Sequence, residues 1–154
     1  MTDSLIKLKV QIHSALVKSL DQKIALCNED LRELEESRNT NDKSTAGDKH
    51  ETGRAMAQIE LENASRQLSN HLRLRGELKK INPEKPTQKV APGSLVKTRS
   101  GLYFLAIGIG KVRIESSDVF AISIDSPIGK AMLGKAKGET FEFRGEELTI
   151  LNIA

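Results

Sequence analysis

The sequence predicts a two-domain α+β protein, an antiparallel helical hairpin followed by a small twisted sheet. Three observations carry this. Residues 1–81 contain no proline, only three glycines, and apolar residues spaced by three and four. Two prolines then fall within four residues, at Pro83 and Pro86. From residue 89 onward the apolar period drops to two, and eight of the eleven glycines appear. A period near 3.6 marks a helix and a period of 2 a half-buried strand, so the composition changes class at the prolines.

In the first segment Leu5, Leu8, Ile12, Leu16, Leu20, Ile24, Cys27, Leu31 and Leu34 line one side of a helix. Such a helix covers roughly 34 residues and about 50 Å at 1.5 Å per residue. A stripe that long needs a partner. Arg38-Asn39-Thr40-Asn41-Asp42-Lys43-Ser44 interrupts the periodicity, and Ala57, Leu61, Ala64, Leu68, Leu72, Leu74, Leu78 and Ile81 resume it. The economical arrangement is a hairpin that bends at residues 39–51 and pairs its two stripes. Asn63, Gln67 and His71 interrupt the second stripe; His71 reads as a helix-interface residue and Cys27 as a small core residue.

Asn82-Pro83-Glu84-Lys85-Pro86-Thr87-Gln88 forms a linker, because proline removes a helical donor and clashes with the preceding turn. The expected domains are therefore 1–81 and 89–154. Strands are predicted at Leu95–Thr98, Tyr103–Ile107, Lys111–Ile114, Phe120–Ile124, Thr140–Phe143 and Leu148–Ile153. Ser100-Gly101, Gly108-Ile109-Gly110 and Arg144-Gly145-Glu146 are the expected turns, the second as a β-hairpin turn. Gly108-Ile109-Gly110-Lys111 lacks the spacing of a phosphate loop. Ser126-Pro127 opens a short helix, with serine as N-cap, proline in the first position and Gly134 near its end. No Gly-x-Ser-x-Gly setting surrounds Ser126, so a nucleophile reading is unsupported.

Composition excludes several functions. A single cysteine rules out an intramolecular disulfide, and no Cys/His cluster has zinc-ligand spacing. The N-terminal segment alternates apolar and charged residues and does not read as a secretory signal. No apolar run is long enough to span a membrane, so a cytoplasmic protein is expected. Net charge is +3, from 24 basic and 21 acidic residues, with four Phe, one Tyr and no Trp. That is too little clustered charge and too few stacking rings for direct single-strand binding.

The chemistry-bearing island is Gly47-Asp48-Lys49-His50-Glu51, at the bend. Asp48 with Glu51 three residues on fits a capping box. The same two carboxylates fit metal delivery, and with Thr45 as the cap both would have free oxygens in the first helical turn. His50 is a candidate general base or metal ligand, because an unperturbed imidazole titrates near neutrality, although a lone histidine at a bend is usually incidental. Lys43, Lys49 and Arg54 surround the acids as candidate docking or RNA contacts.

Ser126-Pro127-Ile128-Gly129-Lys130-Ala131-Met132-Leu133-Gly134-Lys135, then Gly138-Glu139 and Leu148-Thr149-Ile150-Leu151, resembles the C-terminal signature of the bacterial Gre transcript-cleavage factors. The order of parts is similar over the whole chain. At the bend, Gly47-Asp48 and Glu51 match the family's tip pattern of Gly-Asp, two variable residues and Glu. The resemblance implies an FKBP-like fold for the C-terminal domain. It also implies a monomer that binds RNA polymerase and inserts its hairpin into the secondary channel. There Asp48 and Glu51 would help hold Mg²⁺, shared with the polymerase active site, for hydrolysis of backtracked RNA. RNA and DNA would be met only inside the elongation complex, and the chain would not be an enzyme by itself. Beyond the acids the family pattern runs Glu-Asn-Ala-Glu-Tyr, where this chain has Glu51-Thr52-Gly53-Arg54-Ala55. That departure supplies an alternative, a channel-occupying regulator without efficient cleavage. An FKBP-like prolyl isomerase or chaperone, and a coiled-coil dimer, are the readings from other classes.

Overall fold

The computed structural model describes residues 2–43 and 47–154, with side chains for all of these except 2, 40–43 and 47–51. Helix α1 spans Thr2–Lys43 and α2 Gly47–Lys79. The strands are β1 (Leu95–Thr98), β2 (Gly101–Leu105), β3 (Gly110–Ile114), β4 (Ser117–Ile122), β5 (Thr140–Phe143), β6 (Glu146–Thr149) and β7 (Asn152–Ile153), with α3 (Pro127–Met132) between β4 and β5. A helical hairpin followed by a small sheet domain is the fold class the sequence predicted. The chain forms two compact units, residues 18–75 and residues 1–17 with 76–154.

Helix α1 follows its apolar stripe. Leu5, Ile12, Leu16, Leu20 and Cys27 are buried, and Leu8, Ile24, Leu31 and Leu34 are half-buried. The helix nevertheless runs 42 residues, past the expected end near Leu34. Apolar periodicity reports a packing partner, whereas the helix itself ends only where something breaks it. Arg38 to Lys43 contains no Gly or Pro, and Asn, Thr and Asp each cost only a fraction of a kcal/mol. The expected bend at 39–51 is thus too wide, since helix occupies 39–43 and 47–51.

Two side chains on the stripes differ from the reading. Lys9, not Leu8, holds the fully buried position between Leu5 and Ile12, at 0% exposure. Its ammonium donates to the Lys85 carbonyl at 2.8 Å. On α2 Leu72 is 51% exposed, while His71 is half-buried, as a helix-interface residue should be. Steps from Leu61 through Ala64, Leu68 and His71 to Leu78 keep the helical period that Leu72 breaks.

The end of α2 is held from α1. His13 Nε2 lies 2.8 Å from the Leu78 carbonyl; because a carbonyl only accepts, Nε2 carries the proton. Backbone bonds from Lys80 to Glu77 and from Ile81 to Leu78 tighten the last turn. The linker then folds on Asn82, whose side chain accepts from the Glu84 amide at 3.0 Å and whose carbonyl accepts from the Lys85 amide. Pro83 presets the backbone for this turn.

The main sheet has the order β3-β4-β2-β1-β7, antiparallel except for the parallel pair β2–β4. Gly108-Ile109-Gly110 is therefore not a hairpin turn, because β2 and β3 are not neighbours. The segment passes over the end of β4, with the Ala106 amide bonded to Ile122 and the Ile109 amide to Ala121. Local turn chemistry favours a hairpin; the insertion of β4 between the two strands is a long-range choice. The expected strand Leu148–Ile153 also divides. β6 pairs with β5, and β7 pairs with β1. The handover falls at Ile150, whose amide bonds Glu139, and Leu151, whose amide bonds Lys97. Arg144 and Gly145 make the β5–β6 turn with φ of 52° and 78°, the positive pair that matches strand twist.

One sheet face packs Val96, Tyr103, Leu105 and Ile153 against Ile128 and Met132 of α3 and against Phe141, Leu148 and Ile150. Tyr103 stacks on Phe120 with centroids 5.3 Å apart. Leu95, Phe104 and Ala121, aligned across three strands, point the other way and are also at 0% exposure. No described helix is long and apolar enough to cross a membrane.

Candidate functional site

The predicted acids sit at the turn end of the hairpin. Asp48 and Glu51 occupy the first turns of α2, with Lys49 and His50 between them, and Lys43 is the last residue of α1. Their side chains, and Thr45 altogether, lie outside the described residues. α2 already includes Gly47, so Asp48 stands inside the helix and is not its N-cap. Three residues advance about 4.5 Å and turn about 300°, so Asp48 and Glu51 share one side of α2, one turn apart. From Lys18 to Lys43, α1 rises roughly 40 Å.

Next along α2, Thr52 and Arg54 are exposed and Gly53 is half-buried. Among the described residues, a methyl group at Gly53 would meet nothing within 4 Å. The amide groups of a helix N-terminus carry a partial positive charge. A helix start of this kind favours negative charge and opposes a cation, by roughly 0.3–1 kcal/mol for each charge. Arg54, one turn on, adds positive charge to the same end of the helix.

Among the described residues no three His, Cys, Asp or Glu side chains come together as a metal site. Cys27 is buried, as its place on the stripe implied. His71 Nδ1 is buried without a hydrogen-bond partner among the described residues. Ser126 caps α3: its Oγ accepts from the Gly129 amide at 3.1 Å and donates to the Ser123 carbonyl at 2.6 Å. Sequence reasoning missed Lys9, whose signal was its spacing of four from Leu5 and three from Ile12.

Residues 109–154, from the segment before β3 to the end of the chain, match the family model of the C-terminal domain of the transcription elongation factors GreA and GreB. The C-terminal segment is thus similar to the GreA/GreB C-terminal domain. The match covers less than a third of the chain, and the hairpin lies outside it. Within the matched segment lie β3, β4, α3 and the β5–β6 hairpin, hence the N-capped helix at Ser126 that carried the sequence resemblance. Among solved structures, the transcription factor Gfh1 aligns over 92% of this chain and 92% of its own, at 17% identity and a TM-score of 0.33. No curated protein matches the chain.

Proposed function

We propose that this chain is a Gre-type elongation factor that binds RNA polymerase and inserts its hairpin tip into the secondary channel, where Asp48 and Glu51 stimulate cleavage of backtracked RNA. One observation supports the reading: two carboxylates one turn apart open the second helix of a hairpin, in a chain whose residues 109–154 match the GreA/GreB C-terminal family model.

The donor set fits Mg²⁺, which prefers oxygen ligands and is commonly held by one or two carboxylates plus water and phosphate oxygens. Bound there, Mg²⁺ would polarise a water and steady the leaving oxygen of an RNA phosphodiester. Asp48 and Glu51 supply two of the ligands at most. The helix N-terminus and Arg54 weaken their hold on a cation, so this chain completes a site that the polymerase has already half built. It is not an enzyme by itself. Lys43, Lys49 and Arg54 would contact polymerase or RNA phosphates around the tip.

The test is hydrolysis of RNA by stalled, backtracked polymerase, with wild-type chain and with the double variant Asp48→Ala/Glu51→Ala. Accelerated cleavage by wild type and its loss in the variant are expected; identical behaviour would show that the acids do not act. A second reading rests on Thr52-Gly53-Arg54-Ala55, which lacks the family's further acid and aromatic residue. In it the hairpin occupies the channel and regulates the polymerase without cleaving. Binding to polymerase with no acceleration of cleavage by wild type would favour that reading.

A further inference from the structure

A groove of about 1020 Å³ lies between the first turns of α1 and the edge of the main sheet, within the unit formed by residues 1–17 and 76–154. Its origin is visible in the sheet register. Leu95, Phe104 and Ala121 form one rung across β1, β2 and β4, and all three are fully buried. On the neighbouring rung of the same face, Asn152, Lys97 and Leu102 line up across β7, β1 and β2. Here cover fails: Lys97 is exposed, and Asn152 and Leu102 are half-buried. The opposite wall is a helical face, with Ser4, Leu8 and Gln11 at steps of four and three and Lys7 beside them.

The groove has an apolar floor and a basic rim. Leu5, Leu8 and Leu102 give the floor. Lys7 rises on the helix wall and Lys97 on the sheet wall, and neither makes an ion pair among the described residues. Asp3 is the single acid of the lining. Partly exposed leucines with two ammonium groups above them, unpaired among the described residues, call for a ligand that is apolar beneath and anionic at its edges. A nucleic acid fits poorly, because no aromatic ring lines the groove for base stacking and two cations track a phosphate backbone weakly. An extended peptide of alternating apolar and acidic residues presents one kind on each face. Its apolar side chains would reach the leucines while its carboxylates meet the lysines at the rim.

We infer that this groove is a docking site for an acidic, leucine-bearing extended segment of a partner protein, separate from the hairpin tip. The inference does not depend on the tip acids or on RNA cleavage. The probe is a short fluorescein-labelled peptide of alternating glutamate and leucine, titrated against the full chain by anisotropy. Saturable binding is expected, with the double variant Lys7→Glu/Lys97→Glu weaker by about tenfold or more. Leu8→Gln is also expected to weaken it, and Lys137→Glu, a charge reversal outside the groove, to leave it unchanged. No binding by wild type would overturn the proposal. So would an equal loss in Lys137→Glu, which would mean general attraction to a basic surface, or indifference to Leu8→Gln, which would mean an unused floor. Tighter, saturable binding of a single-stranded RNA of similar length, lost in Lys7→Glu/Lys97→Glu, would reassign the groove to nucleic acid.

Discussion

Replacing Gly129 by alanine separates local propensity from tertiary packing. Gly129 lies inside α3, where alanine is the better helix former by about 1 kcal/mol. By that reasoning the substitution stabilises. A Cβ at Gly129, however, would stand 2.2 Å from the Ser123 carbonyl oxygen, 2.9 Å from Ser126 Oγ and 3.0 Å from Ile124 Cα. The first and last of these are backbone atoms that cannot swing aside, so α3 must move away from the segment that follows β4. That movement strains the N-cap, in which Ser126 Oγ bonds both the Gly129 amide and the Ser123 carbonyl. Overpacking costs about 1–3 kcal/mol and a lost cap about 1 kcal/mol. After the propensity gain, Gly129→Ala should be less stable by about 1–3 kcal/mol, a fall of roughly 3–10 °C in Tm for a chain of this size. Gly76→Ala is the matched control. Gly76 is also helical and belongs to the same compact unit, but a Cβ there meets nothing within 4 Å. It should gain about 0.5–1 kcal/mol. Thermal and urea unfolding followed by circular dichroism reads both variants. A Gly129→Ala protein that melts at or above wild type would refute the steric reasoning.

Three further outcomes follow from the packing. Burial pushes the Lys9 ammonium below the ordinary lysine value of 10.5. Folding therefore carries a charge penalty that is fully present below the folded pKa and is lost as pH rises from there towards 10.5. Lys9→Met removes this dependence and should lie within about 1 kcal/mol of wild type near neutral pH. In urea melts the stability difference should then shift in favour of wild type as pH rises; a pH-independent difference would contradict the desolvation argument. Phe104→Ala empties a fully buried site in the central strand β2 and should cost about 3–5 kcal/mol by urea unfolding. Asp21→Ala breaks the 2.7 Å pair with Arg75, but Asp21 is 53% exposed, so the loss should stay under about 1 kcal/mol and shrink with added salt.

The candidate site was legible as a position before it was legible as a chemistry. Apolar stripes on both sides of the bend place Asp48 and Glu51 at the turn end of a hairpin, because a long amphipathic helix must pair its stripe. Whether the acids lie on a loop or a helix was not readable from the stripes, which stop where packing stops. α2 begins at Gly47, so both acids sit on helical backbone with the partial positive charge of its N-terminus beneath them. The Ser126-Pro127 start of α3 was legible because it is local, a cap and a proline that need only their own backbone.

By itself the sequence determined the class change at Pro83 and Pro86, the two helices, strands β1 and β5, and the cap of α3. Each depends on periodicity, breakers or turn chemistry that act over a few residues. Only the tertiary structure decided that β4 lies between β2 and β3, that Leu148–Ile153 serves two sheets, that Lys9 is buried between Leu5 and Ile12, and that Leu72 is left exposed. Each of these depends on which distant segment meets which. A strand's neighbour is fixed by the burial of whole faces, and a lysine is tolerated in the interior only because the Lys85 carbonyl is there to receive it.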